Sequence, residues 1–178
     1  MQQQADDALP DWPAAVHQVL NALGVSQVSY VPDAGHRRLI ELCQADAALR
    51  AVPLTTEEEG IGLAAGAWLG GARAVLLMQS SGVGNCPNTL AMMKSCGFPF
   101  LTLVTMRGEW GEFNPWQLPM GQTTAATFNL AGCGVYRAEN PDAVAPAVEA
   151  AGRLAFDAGA MAAVLIAQKL IGTKTFKD

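Results

Sequence analysis

Thr55-Thr56-Glu57-Glu58-Glu59-Gly60-Ile61-Gly62-Leu63-Ala64-Ala65-Gly66-Ala67-Trp68-Leu69-Gly70-Gly71 sets three carboxylates in front of twelve residues without a charge. A helix that is apolar all round cannot face water on every side, so it is expected in a core or against another chain. Gly60, Gly62 and Gly66 each cost roughly 1 kcal/mol relative to Ala inside a helix, which points to close approach by something else. The acids have two readings. Thr55 with Glu58 and Thr56 with Glu59 both fit a capping box, and negative charge suits a helix N-terminus. Capping does not use all three. Counting helical neighbours places Glu58 above Ile61, Gly62 and Ala65, with no basic residue near it. Glu58 is therefore the candidate for a poorly solvated carboxyl at the mouth of the helix, with Glu57 and Glu59 orienting it or capping.

Outward from this segment, strand and helix patterns alternate. Residues 25–31, 51–54, 74–78, 98–106, 135–137 and 162–167 read as strands, and 13–23, 36–49, 88–96 and 141–156 as helices. Near-continuous apolar strands separated by helices predict an α/β fold, a doubly wound and mainly parallel six-stranded sheet with helices on both faces. Residues 1–12 read as a mobile lead-in, and 13–178 as one domain. Arg107 to Phe128, rich in Gly, Pro, Trp and polar residues, reads as one long connection, and loops of that length are usually functional.

Ligands of such sheets bind beyond the carboxyl ends of the strands. Four segments are expected on that rim: Pro32-Asp33, Glu58, Gln79 to Asn85, and the loop from Arg107. Gly82-Val83-Gly84-Asn85 lacks the third glycine of a dinucleotide fingerprint, because Pro87 stands there. No GxSxG elbow or Walker lysine is present. The glycines suit packing around a flat ring beside Ser81 and Asn85, or an ordinary strand-to-helix turn.

Composition narrows the classes. The 178 residues are 51% hydrophobic and 15% charged, with net charge −5. That is enough chain for a proper core and lean in charge for a monomer, so surplus apolar surface is expected at a subunit interface. No basic cluster suggests nucleic acid, no apolar run has the length of a membrane span, and the N-terminus shows no secretory signal. Cys43, Cys86, Cys96 and Cys133 have no CxxC spacing and only His17 and His36 beside them. They read as buried, reduced thiols of a cytoplasmic protein rather than a zinc site.

Glu58-Glu59-Gly60-Ile61-Gly62-Leu63-Ala64-Ala65 resembles the signature of the pyrimidine-binding (Pyr) domain of thiamine diphosphate enzymes. Within them it is most similar to the sulfopyruvate decarboxylase alpha subunits, then to the phosphonopyruvate decarboxylases. The resemblance continues through Tyr30 to Asp33, Leu77 to Asn85 and Arg107 to Trp116. It implies a decarboxylase of a 2-oxo acid, 3-sulfopyruvate first, in which Glu58 hydrogen-bonds N1′ of the aminopyrimidine. Ser81, Gly82 and Asn85 would line the cofactor. Asp33, Arg107, Asn114, Gln117 and Gln122 would face the substrate, with Arg107 as an anion contact. The family holds the diphosphate and Mg2+ with a GDG motif on a separate domain. No GDG occurs here, so a beta subunit is expected to carry it, in a hetero-oligomer. The loop also lacks the histidine pair of many pyruvate-type decarboxylases, which puts a histidine proton donor in doubt unless His36 or the partner supplies it. A fold retained as a non-catalytic scaffold is the alternative of another class.

Overall fold

Six strands and seven helices alternate in the computed structural model, which describes residues 11–172. In chain order these are α1 (Trp12–Ala22), β1 (Val25–Tyr30), α2 (Arg37–Ala45), β2 (Arg50–Pro53), α3 (Glu57–Leu69) and β3 (Arg73–Gln79). They continue with α4 (Pro87–Cys96), β4 (Phe100–Thr105), α5 (Leu118–Ala131), β5 (Gly134–Ala138), α6 (Pro141–Phe156), β6 (Met161–Ile166) and α7 (Gln168–Ile171). The strands form one sheet in the order β2-β1-β3-β4-β6-β5, and every pairing is parallel. All six predicted strands are present. The expected lead-in falls mostly outside the described residues. Its last two positions are ordered onto α1: the Asp11 side chain caps the helix by accepting from Ala14 N, and Trp12, the first helical residue, is buried.

Side chains alternate across the strands and feed two cores. Val75, Leu77, Leu101 and Leu103 face α1, α2 and α6, whereas Leu76, Met78, Phe100 and Val104 face α3, α4 and α5. The chain runs outward from β1 to β2 and then returns across it to β3. The reversal opens a crevice at the carboxyl ends of β1 and β3, where such folds hold ligands.

The expected long loop is half helix. Only residues 106–114 are irregular; a short turn at Pro115–Gln117 leads directly into α5. Pro119 in the first turn and Gly132 in the left-handed conformation (φ 86°) bound this helix. Its interior obscures the pattern. Thr124 and Thr127 donate their hydroxyls to the carbonyls four residues back, a polar habit that reads as loop in sequence.

Gly121 is where α5 touches the loop it follows, since a methyl there would overlap the Arg107 and Gly108 carbonyls. Gly62, on the outer side of α3, has open space around its Cα. Gly121→Ala is expected to lower stability by about 1–3 kcal/mol, the cost of overpacking. Gly62→Ala is expected to raise it by up to about 1 kcal/mol through helix propensity. Urea unfolding of the two variants checks this, and equal midpoints would refute the close approach at Gly121.

Candidate functional site

The buried carboxyl is Glu57, not Glu58. Glu57 is 8% exposed, while Glu58 and Glu59 are exposed. Helix phase explains the correction. Gly60, Ile61, Ala64 and Ala65 form the buried face of α3, and at 3.6 residues per turn their mean direction passes through Glu57. Glu58 lies about a quarter turn away. Glu59 caps: its Oε2 accepts from Thr55 N at 2.9 Å and from Thr56 N at 3.5 Å.

Glu57 projects from the end of β2 onto the turn Ser80–Asn85 that follows β3. A methyl at Gly82 would overlap the Glu57 carboxyl, so only glycine lets the acid lie on this backbone. Asn85 Nδ2 donates to Glu57 Oε2 at 3.0 Å. No Lys or Arg among the described residues forms an ion pair with Glu57. The thiol of Cys86, behind the turn, is pushed up to about 12 by burial first and then by the Glu57 and Glu58 charges. It is a packed, inert thiol. Met120 of α5 stands over Gly84, with its sulfur 3.3 Å from where a Cβ would be.

A second group ties the strand ends together. Asp33 accepts from Gln79 Nε2 (2.9 Å), Thr105 Oγ1 (2.6 Å) and Gly35 N (3.1 Å). Ser81 donates to Gln79 Oε1 at 2.9 Å, so the network runs from the turn through β3 and β1 to β4. Asp33 and Arg107 share the wall of a cavity of about 80 Å3 with Thr105 and Ile171. Arg107 is not the free anion contact expected. Its Nε and Nη2 both donate to Glu112 at 2.6 Å, with the two side chains 8% and 2% exposed. Glu112 also accepts from Gly108 N, Asn114 N and Gln168 Nε2. Gln168 Oε1 in turn accepts from Glu109 N and Trp110 N.

The remaining expected substrate residues diverge. The Asn114 side chain accepts from Trp116 N and caps the short turn, and Gln122 is exposed on α5. Gln117 is buried, and its Oε1 has no partner. His36 is fully buried and outside the site. Its Nε2 lies 3.2 Å from Met78 O and 3.1 Å from Leu103 O, and two acceptors there place the hydrogen on that nitrogen. Burial lowers its pKa, which suits a neutral structural ring rather than a proton donor to a ligand.

The site fits the ring end of the implied cofactor: a buried acid without a cation, laid on a glycine surface that a Cβ would fill. Among the described residues no group of three or more His, Cys, Asp or Glu could hold a metal ion. No helix among them is long and apolar enough to cross a membrane. The four cysteines are free; Cys43, Cys86 and Cys133 are buried as expected, but Cys96, the last residue of α4, is exposed. Glu57, Thr105, Glu112 and Gln168 were not singled out as site residues from sequence. Helix phase could have found Glu57, but nothing local marks Gln168 as a partner of Glu112, 56 residues earlier.

No protein-family model matches the chain. It is 41% identical over 115 residues to sulfopyruvate decarboxylase subunit alpha of Methanothermobacter thermautotrophicus, covering 64% of this chain and 70% of that protein. With the subunit alpha of Methanococcus maripaludis the identity is 32% over 153 residues, 85% of this chain and 92% of the relative. Phosphonopyruvate decarboxylase of Streptomyces hygroscopicus is 36% identical over 113 residues, but the match spans only 28% of that protein. The fold is similar to 2-oxoglutarate:ferredoxin oxidoreductase from Magnetococcus marinus, solved with 2-oxoglutarate, coenzyme A and succinyl-CoA bound. The TM-score is 0.68 at 16% identity, and the likeness covers 94% of this chain and 30% of that one. On the strength of the subunit relatives, this chain belongs to the family of sulfopyruvate decarboxylase alpha subunits.

Proposed function

We propose that this chain is the alpha half of a thiamine diphosphate-dependent decarboxylase that converts 3-sulfopyruvate and a proton to sulfoacetaldehyde and carbon dioxide. The single observation that carries the reading is the Glu57 carboxyl, buried at the sheet's switch point on a surface that only Gly82 permits. The cofactor, when bound, supplies the electron sink for the departing carbon dioxide. The chain's own part is to place a carboxyl where water is scarce. Glu57 takes the role expected of Glu58 and holds a proton toward N1′ of the aminopyrimidine, while Gly82 and Ser81 shape the surface the ring meets. Asp33, fixed by three donors, marks the substrate side of the same crevice. An inactive scaffold has no use for such an acid, which favours an enzyme.

Phosphonopyruvate is the second reading, because phosphonopyruvate decarboxylases are also similar at 36% identity. Relatives covered over most of their length are separate alpha subunits, whereas the match to phosphonopyruvate decarboxylases spans 28% of each. A sulfopyruvate decarboxylase of Methanosarcina acetivorans is likewise matched over only 30% of its length, so the sulfonate reading rests on the alpha subunits, matched over 70% and 92% of theirs.

The missing half comes from a beta subunit, to which we assign the diphosphate and Mg2+. The outer surface of α3, α4 and α5 suits such a partner. Leu63, Trp68 and Leu69 of α3, Met92 of α4, and Leu118 and Leu130 of α5 are all exposed, Leu69 to 72% and Leu130 to 85%. Trp110 (62%) and Trp116 (80%) stand out from the preceding loop, which Glu112 and Gln168 hold from behind. No large hydrophobic on α1, α2 or α6 is exposed in this way. One-sided apolar surface of this kind marks an interface.

The purified chain alone is expected to bind thiamine diphosphate with Mg2+ weakly and to show no decarboxylation. Addition of a beta subunit should restore both, read by calorimetry and carbon dioxide release. Tight cofactor binding by the isolated chain would sink the shared-site reading.

A further inference from the structure

Asn85 was expected to touch the cofactor, but its side chain is turned onto Glu57. The amide Nδ2 reaches Glu57 Oε2 at 3.0 Å, from a turn packed against both α3 and α5. We propose that Asn85 is the positioning residue of the Glu57 carboxyl, fixing Oε2 as an acceptor and leaving Oε1, over Gly82, as the oxygen that carries the proton. The inference rests on the reading of Glu57 as the acid that meets the cofactor ring.

The physical reason lies in the symmetry of a carboxyl group. Its terminal torsion is soft, and its two oxygens are interchangeable unless the surroundings distinguish them. An acid that must donate in one direction gains from a donor on the other oxygen, because an amide N–H has no lone pair with which to accept. Gly82 blocks motion on one side by contact with the carboxyl carbon and Oε1, and Asn85 holds the other oxygen. Two weak constraints thus select one rotamer and one protonation site. No other side chain among the described residues is recorded donating to the Glu57 carboxyl.

The nearby titratable groups are few. Glu58 and Glu59 lie on the same helix, and Cys86 follows Asn85 with its thiol pushed up to about 12 by burial. Lys94 is at the far end of α4, and neither the turn Ser80–Asn85 nor α5 contributes an ionisable residue. Between pH 5.5 and 8 an introduced carboxyl at position 85 would meet the Glu57 and Glu58 carboxyls, with no cation from the turn or from α5 beside them.

That isolation makes Asn85→Asp diagnostic. Ionised, the new carboxylate cannot donate to Oε2; it draws the Glu57 proton to itself, away from Oε1, or repels Glu57 where that is ionised. Protonated, its O–H donates to Oε2 as the amide does. The test uses the chain assembled with its beta subunit, comparing wild type, Asn85→Ala, Asn85→Asp and Glu57→Gln. Thiamine diphosphate affinity is read by calorimetry in the presence of Mg2+, with turnover and KM from pH 5.5 to 8. Asn85→Ala is expected to lower kcat about 10- to 100-fold, the scale of a buried acceptor left without its donor, with KM for the 2-oxo acid unchanged. Asn85→Asp should lose as much at pH 8 and recover most of both affinity and turnover, relative to wild type, toward pH 5.5. Asn85→Ala should not recover. Parallel losses at every pH in the two variants, or wild-type behaviour in Asn85→Ala, would overturn the positioning role. The premise fails separately: near-normal turnover of Glu57→Gln removes Glu57 from catalysis whatever the Asn85 variants do.

Discussion

Replacing Glu57 by Gln is expected to lower turnover of the assembled complex by about a hundred- to a thousand-fold, with the complex still formed. Removing one preorganised hydrogen bond from a dry active site costs roughly 3–4 kcal/mol at the transition state. Gln keeps the volume and the hydrogen-bonding reach of the side chain, so the fit against Gly82 survives and only the acid is lost. Glu58→Gln and Glu59→Gln provide the contrast. Glu58 is exposed and Glu59 caps α3 through Thr55 and Thr56, so their effects should stay within the 0.5–2 kcal/mol range of helix ends. Steady-state kinetics of the three variants decides the matter. A large loss in Glu58→Gln with near-normal turnover in Glu57→Gln would return the role to Glu58.

The contrast between these neighbours shows where sequence reading reached its limit. Alternation of apolar strands and helices is a long-range, redundant signal, and it predicted all six strands and the two-sided cover. The rim residues were legible because topology alone puts strand ends together: Asp33, Gln79 and the loop from Arg107 do meet. Choosing one acid among three adjacent ones needs the phase of α3 to within a single residue. That phase is set by which side of the helix rests on Leu76 and Leu54, where Gly60 makes its close contact. Six glycines and alanines between residues 60 and 67 blur it in sequence. Charges were misread for a different reason. Arg107 looked like a free cation because its neutralising carboxylate, five residues on, belongs to a loop whose folding back depends on Gln168 from the end of the chain. A pairing closed by a residue that distant leaves no local trace.

That buried pair is the second place where one substitution should have a large effect. Arg107 and Glu112 meet through two 2.6 Å hydrogen bonds, and Glu112 also accepts from the Gly108 and Asn114 amides and from Gln168. Glu112→Ala strands a guanidinium that is only 8% exposed, and breaking one side of such a pair costs about 3–5 kcal/mol. The melting temperature should fall accordingly, far more than for Glu149→Ala, whose exposed i,i+4 pair with Arg153 is worth about 0.3–0.5 kcal/mol. Replacing both members, as in Arg107→Met with Glu112→Leu, should recover much of the loss, because the desolvation of two charges disappears with their attraction. The pH dependence has a fixed sign. The Arg107 guanidinium foremost, with the Asn114 and Gly108 amides and Gln168, holds the Glu112 carboxyl down to about 2 from its ordinary 4.5, against the opposing effect of burial. A depressed carboxyl contributes its stability in full above its unfolded value and loses it as pH falls toward the folded one. Thermal melts between pH 5 and pH 2.5 should therefore decline more steeply for wild type than for Glu112→Gln. Equal slopes, together with a small effect of Glu112→Ala, would mean that the loop is held by packing rather than by this pair. Arg107 would then again be available to an anionic substrate.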